Sequence, residues 1–194
     1  MRGSVTLTGP RCSGKSKVGK ELARILGFSH IDLDRVFEEQ HGSITDYVKK
    51  HGLPGFRRHE NIGYKVLCHE HQFIRTIISS GGGLFAHNDG EQYRLSSVEL
   101  GKNFGKIIYL TPSDDLRESA EILSKRISKD PTTAGSRPAL TKDKSASEEV
   151  LDVLTMRDPI YRAVAYEVIR TEQIGGIKKV AEYMAEKIRS KLLC

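Results

Sequence analysis

A short apolar run, "SVTLT" at residues 4 to 8, leads directly into "GPRCSGKS", residues 9 to 16. This segment has the pattern G-x-x-x-x-G-K-[ST], and residues with a helical apolar period follow it. A strand, a glycine-containing loop and a helix in this order are the context that a phosphate-binding loop requires. The alternative is a chance match in a glycine-rich turn. Because the pattern stands at the start of a βα unit, it favours the phosphate-binding interpretation and an α/β fold.

The chemistry of such a loop follows from its residue types. Glycine lets the backbone N–H groups point inward and lets the chain approach a ligand closely, and the helix that follows adds the positive end of its dipole. Lys15 would reach the β- and γ-phosphates of a nucleotide, and the Ser16 hydroxyl would hold Mg²⁺. We therefore expect ATP to contact Gly9, Cys12, Ser13, Gly14, Lys15, Ser16 and Lys17.

Composition excludes several classes of protein. With 194 residues, 38% apolar and 29% charged, the chain fits one ordinary globular domain spanning residues 1–194. No segment approaches the roughly 20 apolar residues of a membrane-spanning helix, and the N-terminus lacks the apolar block of a secretory signal. The three cysteines form no disulfide or metal-binding pattern, so we expect a cytoplasmic protein. The net charge of +6 suits anionic substrates. The chain lacks the basic stripe that is typical of nucleic-acid binding, so no nucleic-acid partner is expected. A monomer is expected.

Periodicity predicts alternating strands and helices along the chain. Strands are expected at residues 4–8, 29–32, 73–80, 106–110 and 167–171. Helices are expected at residues 15–27, 34–42, 43–52, 54–71 and 175–193. This alternation predicts a three-layer α/β/α fold, with a five-stranded parallel sheet that is covered by helices on both faces.

One segment interrupts this order. Residues 128–149 are polar, contain Pro131 and Pro138, and lack a hydrophobic period. They are either a disordered surface loop or a mobile lid over an active site. The chain has no recognition motifs of a GTPase and is small for a motor or transport ATPase. A phosphate-binding loop together with a lid favours a kinase that acts on a small molecule or a nucleotide.

Two carboxylates end the second predicted strand. Asp32 and Asp34 are two residues apart, so in an extended strand they would point to the same face. In an open α/β sheet, ligands bind at this end of the strands. One carboxylate would then serve the metal and the other the hydroxyl group of a substrate. The alternative is a solvated corner between strand and helix, with Asp34 as the N-cap of the helix.

At this point the chain resembles the shikimate kinases, a family of the P-loop nucleoside-monophosphate-kinase superfamily. "DLDRVFEEQHGSI", residues 32 to 44, is similar to the D-x-D region of that family, and "FRRHE", residues 56 to 60, to its F-R-x-x-E. "SSGGG", residues 79 to 83, "SRPAL", residues 136 to 140, and "RDPIY", residues 157 to 161, resemble its glycine triplet, its lid motif and its R-x-P-x-Y. With the phosphate-binding loop these are six motifs in the same order, which is a specific signal.

The resemblance implies roles in acceptor binding for the helices at about residues 34–71 and for residues beyond them. Asp34 would contact the accepting hydroxyl and orient it, and is a candidate base. Arg57 and Arg157 would bind the carboxylate of shikimate, which agrees with the preference of arginine for bidentate contacts with carboxylates. The backbone of Gly81, Gly82 and Gly83 would approach the ring, which agrees with three bare glycines after a buried strand.

The resemblance also implies roles on the ATP side. Asp32 would lie in the Mg²⁺ shell, Arg126 against the adenine, and Arg137 would move in from the lid toward the transferring phosphate. The stretch between Leu110 and Arg137 is several residues longer than is usual in the family, which weakens the alignment of Arg126. The fold implied is that of a P-loop kinase with a mobile lid, and the activity implied is phosphorylation of the 3-hydroxyl of shikimate by ATP.

Two other functions remain open at this level. One is a related small-molecule kinase of the same fold, such as a gluconate kinase, and the arginine pair and the D-x-D segment favour shikimate over it. The other is a non-catalytic relative that binds nucleotide. Such relatives usually lose the loop lysine, a D-x-D carboxylate or the lid arginine, and this chain keeps Lys15, Asp32, Asp34 and Arg137.

Overall fold

The computed structural model of the chain describes residues 4–71, 75–88, 90–129 and 145–192. Five strands pair in parallel in the order β2-β3-β1-β4-β5. The strands are β1 Ser4–Thr8, β2 Ser29–Asp32, β3 Thr76–Ser79, β4 Gly105–Thr111 and β5 Glu167–Arg170. The predicted sheet is therefore confirmed. The third strand is shorter than the predicted span of residues 73–80, of which residues 73 and 74 lie outside the described residues.

Helices connect the strands and cover both faces of the sheet. They are α1 Lys15–Leu26, α2 Leu33–His41, α3 Ile44–Glu70, α4 Glu91–Phe104, α5 Leu116–Ser128, α6 Ala146–Val164, α7 Thr171–Ile174 and α8 Ile177–Leu192. The chain is an α/β protein with three layers, as predicted. None of the helices in these described stretches combines the length and the apolar character needed to cross a membrane.

The sheet divides the core because neighbouring residues of a strand point to opposite faces. Ile77 and Ile108 pack with α1 and α8, whereas the adjacent Ile78 and Ile107 pack with α3 and α4. All five residues of the central strand β1 are buried. A strand that lies between two parallel neighbours and is covered by helices on both faces has no side chain in contact with water. Apolar and β-branched residues are therefore favoured along such a strand.

Helix α3 is divided by a kink. Gly52 has φ 71° and ψ 169°, outside the helical region, and Pro54 follows it. The sequence predicted two helices here, at residues 43–52 and 54–71, and the kink lies at the predicted boundary. The second part of α3 carries Arg57 and Glu60 on its buried side.

Helices occupy both described ends of the segment at residues 128–149. Ser128 is the last residue of α5, and α6 begins at Ala146. Ser145 caps α6 by a reciprocal pair of hydrogen bonds with Glu148, which satisfies backbone N–H groups at the start of the helix. Residues 130–144, including the lid motif and Arg137, lie outside the described residues.

Candidate active site

The phosphate loop joins β1 to α1 at the carboxyl edge of the sheet. Gly9 has φ 140°, and a Cβ there would stand 2.3 Å from the carbonyl oxygen of Leu110 on the neighbouring strand β4. Only glycine fits such a close approach. The Ser13 hydroxyl is buried and has no hydrogen-bond partner among the described residues. An unsatisfied buried hydroxyl in a loop of this shape is chemically suited to a polar ligand such as a phosphate.

Lys15 is the cation at the centre of this loop. It is only 8% exposed, and its ammonium group donates to the carbonyl oxygens of Gly9 at 3.0 Å and Pro10 at 2.8 Å. Burial lowers the pKa of Lys15, while the negative charges of Asp34 and Asp32 act in the opposite direction. The two carboxylates therefore lie close enough to act on the lysine. Ser16 and Lys17, the next two predicted nucleotide contacts, are exposed.

The local structure that positions Asp32 and Asp34 differs from the predicted one. Asp32 ends β2 and caps α2, accepting a hydrogen bond from the Arg35 backbone N–H at 3.3 Å. Asp34 already lies in the first turn of α2. The expectation that both side chains share one face of an extended strand is wrong, because the chain becomes helical at Leu33. The alternative with Asp34 as N-cap is wrong as well, because Asp32 takes that position.

A buried ion pair lies across the site from the phosphate loop. Arg57 and Glu60 are 4% and 3% exposed, and Arg57 Nη1 donates to Glu60 Oε2 at 2.7 Å. Neither Arg57 Nε nor Glu60 Oε1 has a hydrogen-bond partner within the described part of the chain. Burial raises the pKa of Glu60, although the charge of Arg57 opposes that shift. Unpaired polar atoms in a buried ion pair are costly, and they suit a polar ligand that would satisfy them.

The glycine triplet after β3 lies against this ion pair. A Cβ on Gly81 would stand 2.3 Å from Glu60 Oε1 and 2.6 Å from Asp34 Oδ1, and a Cβ on Gly83 would stand 2.2 Å from Arg57 Nη2. The bare backbone thus allows two carboxylates and a guanidinium group to gather at one place. Burial, followed by the nearby charge of Glu60, raises the pKa of Asp34 to about 6, although the charge of Lys15 acts in the opposite direction.

Arg157 is brought to the same place by α6. Its Nη1 donates to the carbonyl oxygen of Gly82 at 3.4 Å, and the Tyr161 hydroxyl donates to the same oxygen. Arg57 and Arg157, which are 100 positions apart in the sequence, therefore meet at the glycine triplet. This convergence agrees with the paired-arginine carboxylate site that the sequence suggested.

Arg126 lies on the other side of the phosphate loop. Its Nη1 donates to the carbonyl oxygen of Cys12 at 3.4 Å, and its Nη2 is ion-paired with Glu172. The position beside the loop is compatible with a nucleotide contact. The predicted lid residue, Arg137, belongs to the residues that the structure does not describe.

Two features of the site were not predicted. Glu60 was recognised only as part of a motif, and the signal that could have identified it is its spacing of three residues from Arg57, which allows an ion pair on one helix face. The second is a chain of hydrogen bonds that begins at His30: its Nε2 lies 3.0 Å from Ser79 Oγ, which donates to the Lys15 carbonyl oxygen at 3.1 Å. His30 and Ser79 thereby support the start of α1.

Similarity to known proteins places the chain in one family. The model of the shikimate kinase family matches residues 11–189. A protein of Yersinia enterocolitica named shikimate kinase 2 is 32% identical over 174 residues, which cover 89% of each chain. The protein of the same name from Yersinia pseudotuberculosis is 33% identical over 195 residues, which cover 100% of this chain and 99% of that protein.

Solved structures give a consistent result. The shikimate kinase of Acinetobacter baumannii in complex with shikimate superposes with a TM-score of 0.80 at 28% identity, covering 98% of this chain and 95% of that one. The shikimate kinase of Aquifex aeolicus superposes with a TM-score of 0.73 at 26% identity, covering 98% of each chain.

Proposed function

This chain belongs to the shikimate kinase family, and we propose how its residues perform the reaction of that family, the ATP-dependent phosphorylation of the 3-hydroxyl of shikimate. The observation that carries the proposal is the buried Arg57–Glu60 pair with its unpaired atoms, which faces the glycine triplet beside Asp34 and the phosphate loop. A small acceptor that bears both a carboxylate and hydroxyl groups satisfies this set of donors and acceptors.

We assign the carboxylate of shikimate to Arg57 and Arg157. Each guanidinium group offers several N–H donors in a fixed plane, and a carboxylate accepts two of them at once. Arg57 keeps donors beyond its bond to Glu60, because Nε is unpaired among the described residues. Glu60 Oε1 is then available to a ring hydroxyl. The backbone of Gly81, Gly82 and Gly83 leaves room for the ring, which no side chain at these positions would.

Asp34 is assigned to the accepting hydroxyl. With a pKa of about 6, most of its carboxyl groups are ionised at neutral pH and can accept a hydrogen bond. The hydroxyl oxygen attacks the γ-phosphorus of ATP, the bond to the β–γ bridging oxygen breaks, and ADP leaves. Asp34 orients the hydroxyl and is placed to receive its proton. A raised pKa makes this carboxylate a better proton acceptor than an exposed aspartate.

ATP is assigned to the phosphate loop. Lys15 donates to two loop carbonyl groups, and on nucleotide binding it would exchange these partners for β- and γ-phosphate oxygens. The backbone and side chains of Gly9, Cys12, Ser13, Gly14, Ser16 and Lys17 complete the cradle, and Arg126 is assigned to the adenine. We further propose that residues 128–149 contain the lid and that Arg137 contacts the transferring phosphate, where its charge would stabilise the transition state.

Mg²⁺ is assigned to Ser16 and Asp32. Their hydroxyl and carboxylate oxygens are the hard donors that this ion prefers, and Mg²⁺ is usually held by one or two protein oxygens together with substrate phosphates and water. The donor set at this end of the loop fits the ion. When bound with ATP, Mg²⁺ neutralises charge on the phosphate oxygens. We also propose that the protein works as a cytoplasmic monomer without nucleic-acid or membrane partners.

A substrate comparison tests the assignment. Purified protein is assayed for ADP release with ATP, Mg²⁺ and one acceptor at a time: shikimate, gluconate or a nucleoside monophosphate, with an acceptor-free reaction as control. We expect ADP release well above the control with shikimate alone. Preferential turnover of gluconate would support the alternative small-molecule kinase. No turnover with any acceptor, despite nucleotide binding, would support a non-catalytic relative.

A further inference from the structure

Two stacked tyrosines lie behind the glycine triplet. Tyr109 on β4 and Tyr161 on α6 are both fully buried, and their ring centroids are 4.8 Å apart at an angle of 28°. Each hydroxyl donates to a different acceptor. Tyr109 donates to Asp158 Oδ1 at 2.8 Å, and Tyr161 donates to the carbonyl oxygen of Gly82. The two side chains are alike in burial and packing, but only Tyr161 contacts the candidate active site.

The Gly82 carbonyl lies where three parts of the site meet. Arg157 also donates to it, because Arg157 and Tyr161 are four residues apart and share one face of α6. Gly82 also lies beside the phosphate loop: a Cβ built there would stand 3.4 Å from the Arg11 backbone nitrogen and 3.5 Å from the Gly9 carbonyl oxygen. A shift of Gly82 would therefore change its distance to the acceptor and to the phosphate loop together.

We propose that Tyr161 is a positioning residue for phosphoryl transfer, whose hydroxyl fixes the Gly82 carbonyl and thereby holds the glycine triplet at its distance from Arg157 and the phosphate loop. The assignment of an acceptor to this triplet rests on the proposed function, whereas the contact between Tyr161 and Gly82 does not. Tyr161 touches no reacting atom in this arrangement and acts through the backbone that it holds.

Two features suit Tyr161 to this task. Burial raises its pKa to about 12, so the hydroxyl keeps its proton and remains a donor at physiological pH. The helix that carries it is anchored to the rest of the fold. Arg162 Nε donates to Asp158 Oδ2 at 2.7 Å, and Arg162 Nη2 donates to Asp114 Oδ1 at 3.0 Å. The first bond lies within α6, and the second holds α6 beside the loop that follows β4.

A matched pair of variants tests the proposal. Tyr161→Phe and Tyr109→Phe each remove one buried hydroxyl and keep the stacked rings. We expect Tyr161→Phe to raise the KM for shikimate about 3- to 10-fold, the change that the loss of one hydrogen bond produces. Its kcat should fall by a smaller factor. Tyr109→Phe should lose similar thermal stability. Its KM for shikimate should stay within about twofold of wild type, less than the loss of one hydrogen bond produces, because its hydroxyl donates to Asp158 and not to the glycine triplet.

Hydrogen exchange gives a second readout that needs no activity. In ligand-free protein, the backbone amides around Gly82 should exchange faster in Tyr161→Phe than in wild type, and they should be unchanged in Tyr109→Phe. Equal changes in the two variants, in KM and in exchange, would overturn the positioning role and leave Tyr161 as core packing. If wild type fails to phosphorylate shikimate, the proposed function fails, and the exchange data alone then decide whether Tyr161 holds Gly82.

Discussion

The proposed acceptor side and the proposed nucleotide side of the candidate site are built differently. On the acceptor side, charged groups are buried: Arg57 and Glu60 are 4% and 3% exposed, and each keeps an unpaired polar atom among the described residues. On the nucleotide side, Ser16 and Lys17 are exposed, and the Arg126–Glu172 ion pair lies at the surface with side chains 38% and 43% exposed. Lys15 is buried, but loop carbonyl groups already satisfy it.

The difference shows where specificity is built. Removing charges from water costs several kcal/mol per ion, and a fold keeps such charges only where a partner or a ligand offsets that cost. A buried pair with unpaired atoms therefore selects for an acceptor that completes it. Phosphate binding instead relies on backbone N–H groups and a helix N-terminus, which any nucleoside triphosphate satisfies. In the proposed function, buried side chains therefore select the acceptor, while the nucleotide is held largely by backbone geometry together with Lys15.

The largest expected effect concerns Lys15, the buried cation of the phosphate loop. Lys15→Met should reduce kcat/KM at least about 10³-fold, because the positive charge that faces the phosphates is lost, while the fold stays intact. The matched control is Lys20→Met, on the exposed face of the same helix, which should keep activity within about twofold because that side chain contacts no part of the site. Steady-state kinetics and circular dichroism measure both. Near-normal turnover in a folded Lys15→Met protein would contradict the assignment.

Loss of an acceptor arginine should come next. Arg57→Ala or Arg157→Ala should weaken shikimate binding about 10- to 100-fold, since a charge-assisted hydrogen bond contributes about 1.5–3 kcal/mol, with little change in ATP binding. Calorimetric titration with each ligand measures both effects. Arg58→Ala is the matched control, because Arg58 is the exposed neighbour of Arg57.

The structure adds a second expectation for the Arg57 variant. Arg57→Ala also leaves the buried Glu60 without its ion-pair partner, which should destabilise the fold by about 3–5 kcal/mol. The double variant Arg57→Ala/Glu60→Gln removes the stranded charge, so it should recover part of that stability without recovering shikimate binding. Normal shikimate affinity in both Arg57→Ala and Arg157→Ala would show that the acceptor is bound elsewhere.

The raised pKa of Asp34 should make both the activity and the stability of the protein depend on pH. Because the pKa is raised to about 6, kcat/KM should fall as pH drops through about 6, where the carboxylate becomes protonated. A raised carboxyl pKa also means that the stability Asp34 contributes is full below the unfolded value of 3.8 and is lost as pH rises to about 6. Asp34→Asn should therefore lose activity, and its free energy of unfolding relative to that of wild type should increase by about 2–2.5 kcal/mol between pH 4 and pH 7, since one pKa unit corresponds to about 1.4 kcal/mol.

Thermal unfolding across this pH range measures the gain. Asp46→Asn is the control, since Asp46 is exposed and its surface ion pair with Lys49 contributes little to stability. A stability difference between Asp34→Asn and wild type that does not change with pH would show that Asp34 behaves like an exposed carboxylate. Asp34 would then no longer belong with the buried charges that distinguish the acceptor side from the nucleotide side.

The smallest effect is expected at the surface of the nucleotide side. Arg126→Ala should raise the KM for ATP about 2- to 5-fold and leave the KM for shikimate unchanged, because one partly exposed contact is lost. The free energy of unfolding should change by less than about 1 kcal/mol, since the ion pair with Glu172 is exposed. Arg117→Ala, on the exposed side of the same helix, should change neither KM. A large effect of Arg126→Ala on shikimate binding would contradict the assignment of Arg126 to the nucleotide side.

Much of the fold could be predicted from local patterns. The phosphate-binding loop fixed the first βα unit, and β-branched runs such as "TIIS" and "KIIYL" identified buried strands. The kink at Gly52 also followed from a local signal, a glycine followed closely by a proline. The end of the proposed lid segment was not predicted, because the capping box that starts α6 at Ser145 lies inside a polar stretch without a hydrophobic period.

The sequence by itself determined which chemical groups are available: the loop lysine, the two aspartates, the arginines and the glycine triplet, in an order typical of shikimate kinases. Only the tertiary structure decided how they act on one another. Burial, the shift of the Asp34 pKa to about 6, the unpaired atoms of Arg57 and Glu60, and the meeting of Tyr161 with Gly82 depend on elements that are distant in sequence. Desolvation and charge–charge interactions are set by distances in space, and a linear sequence does not contain those distances.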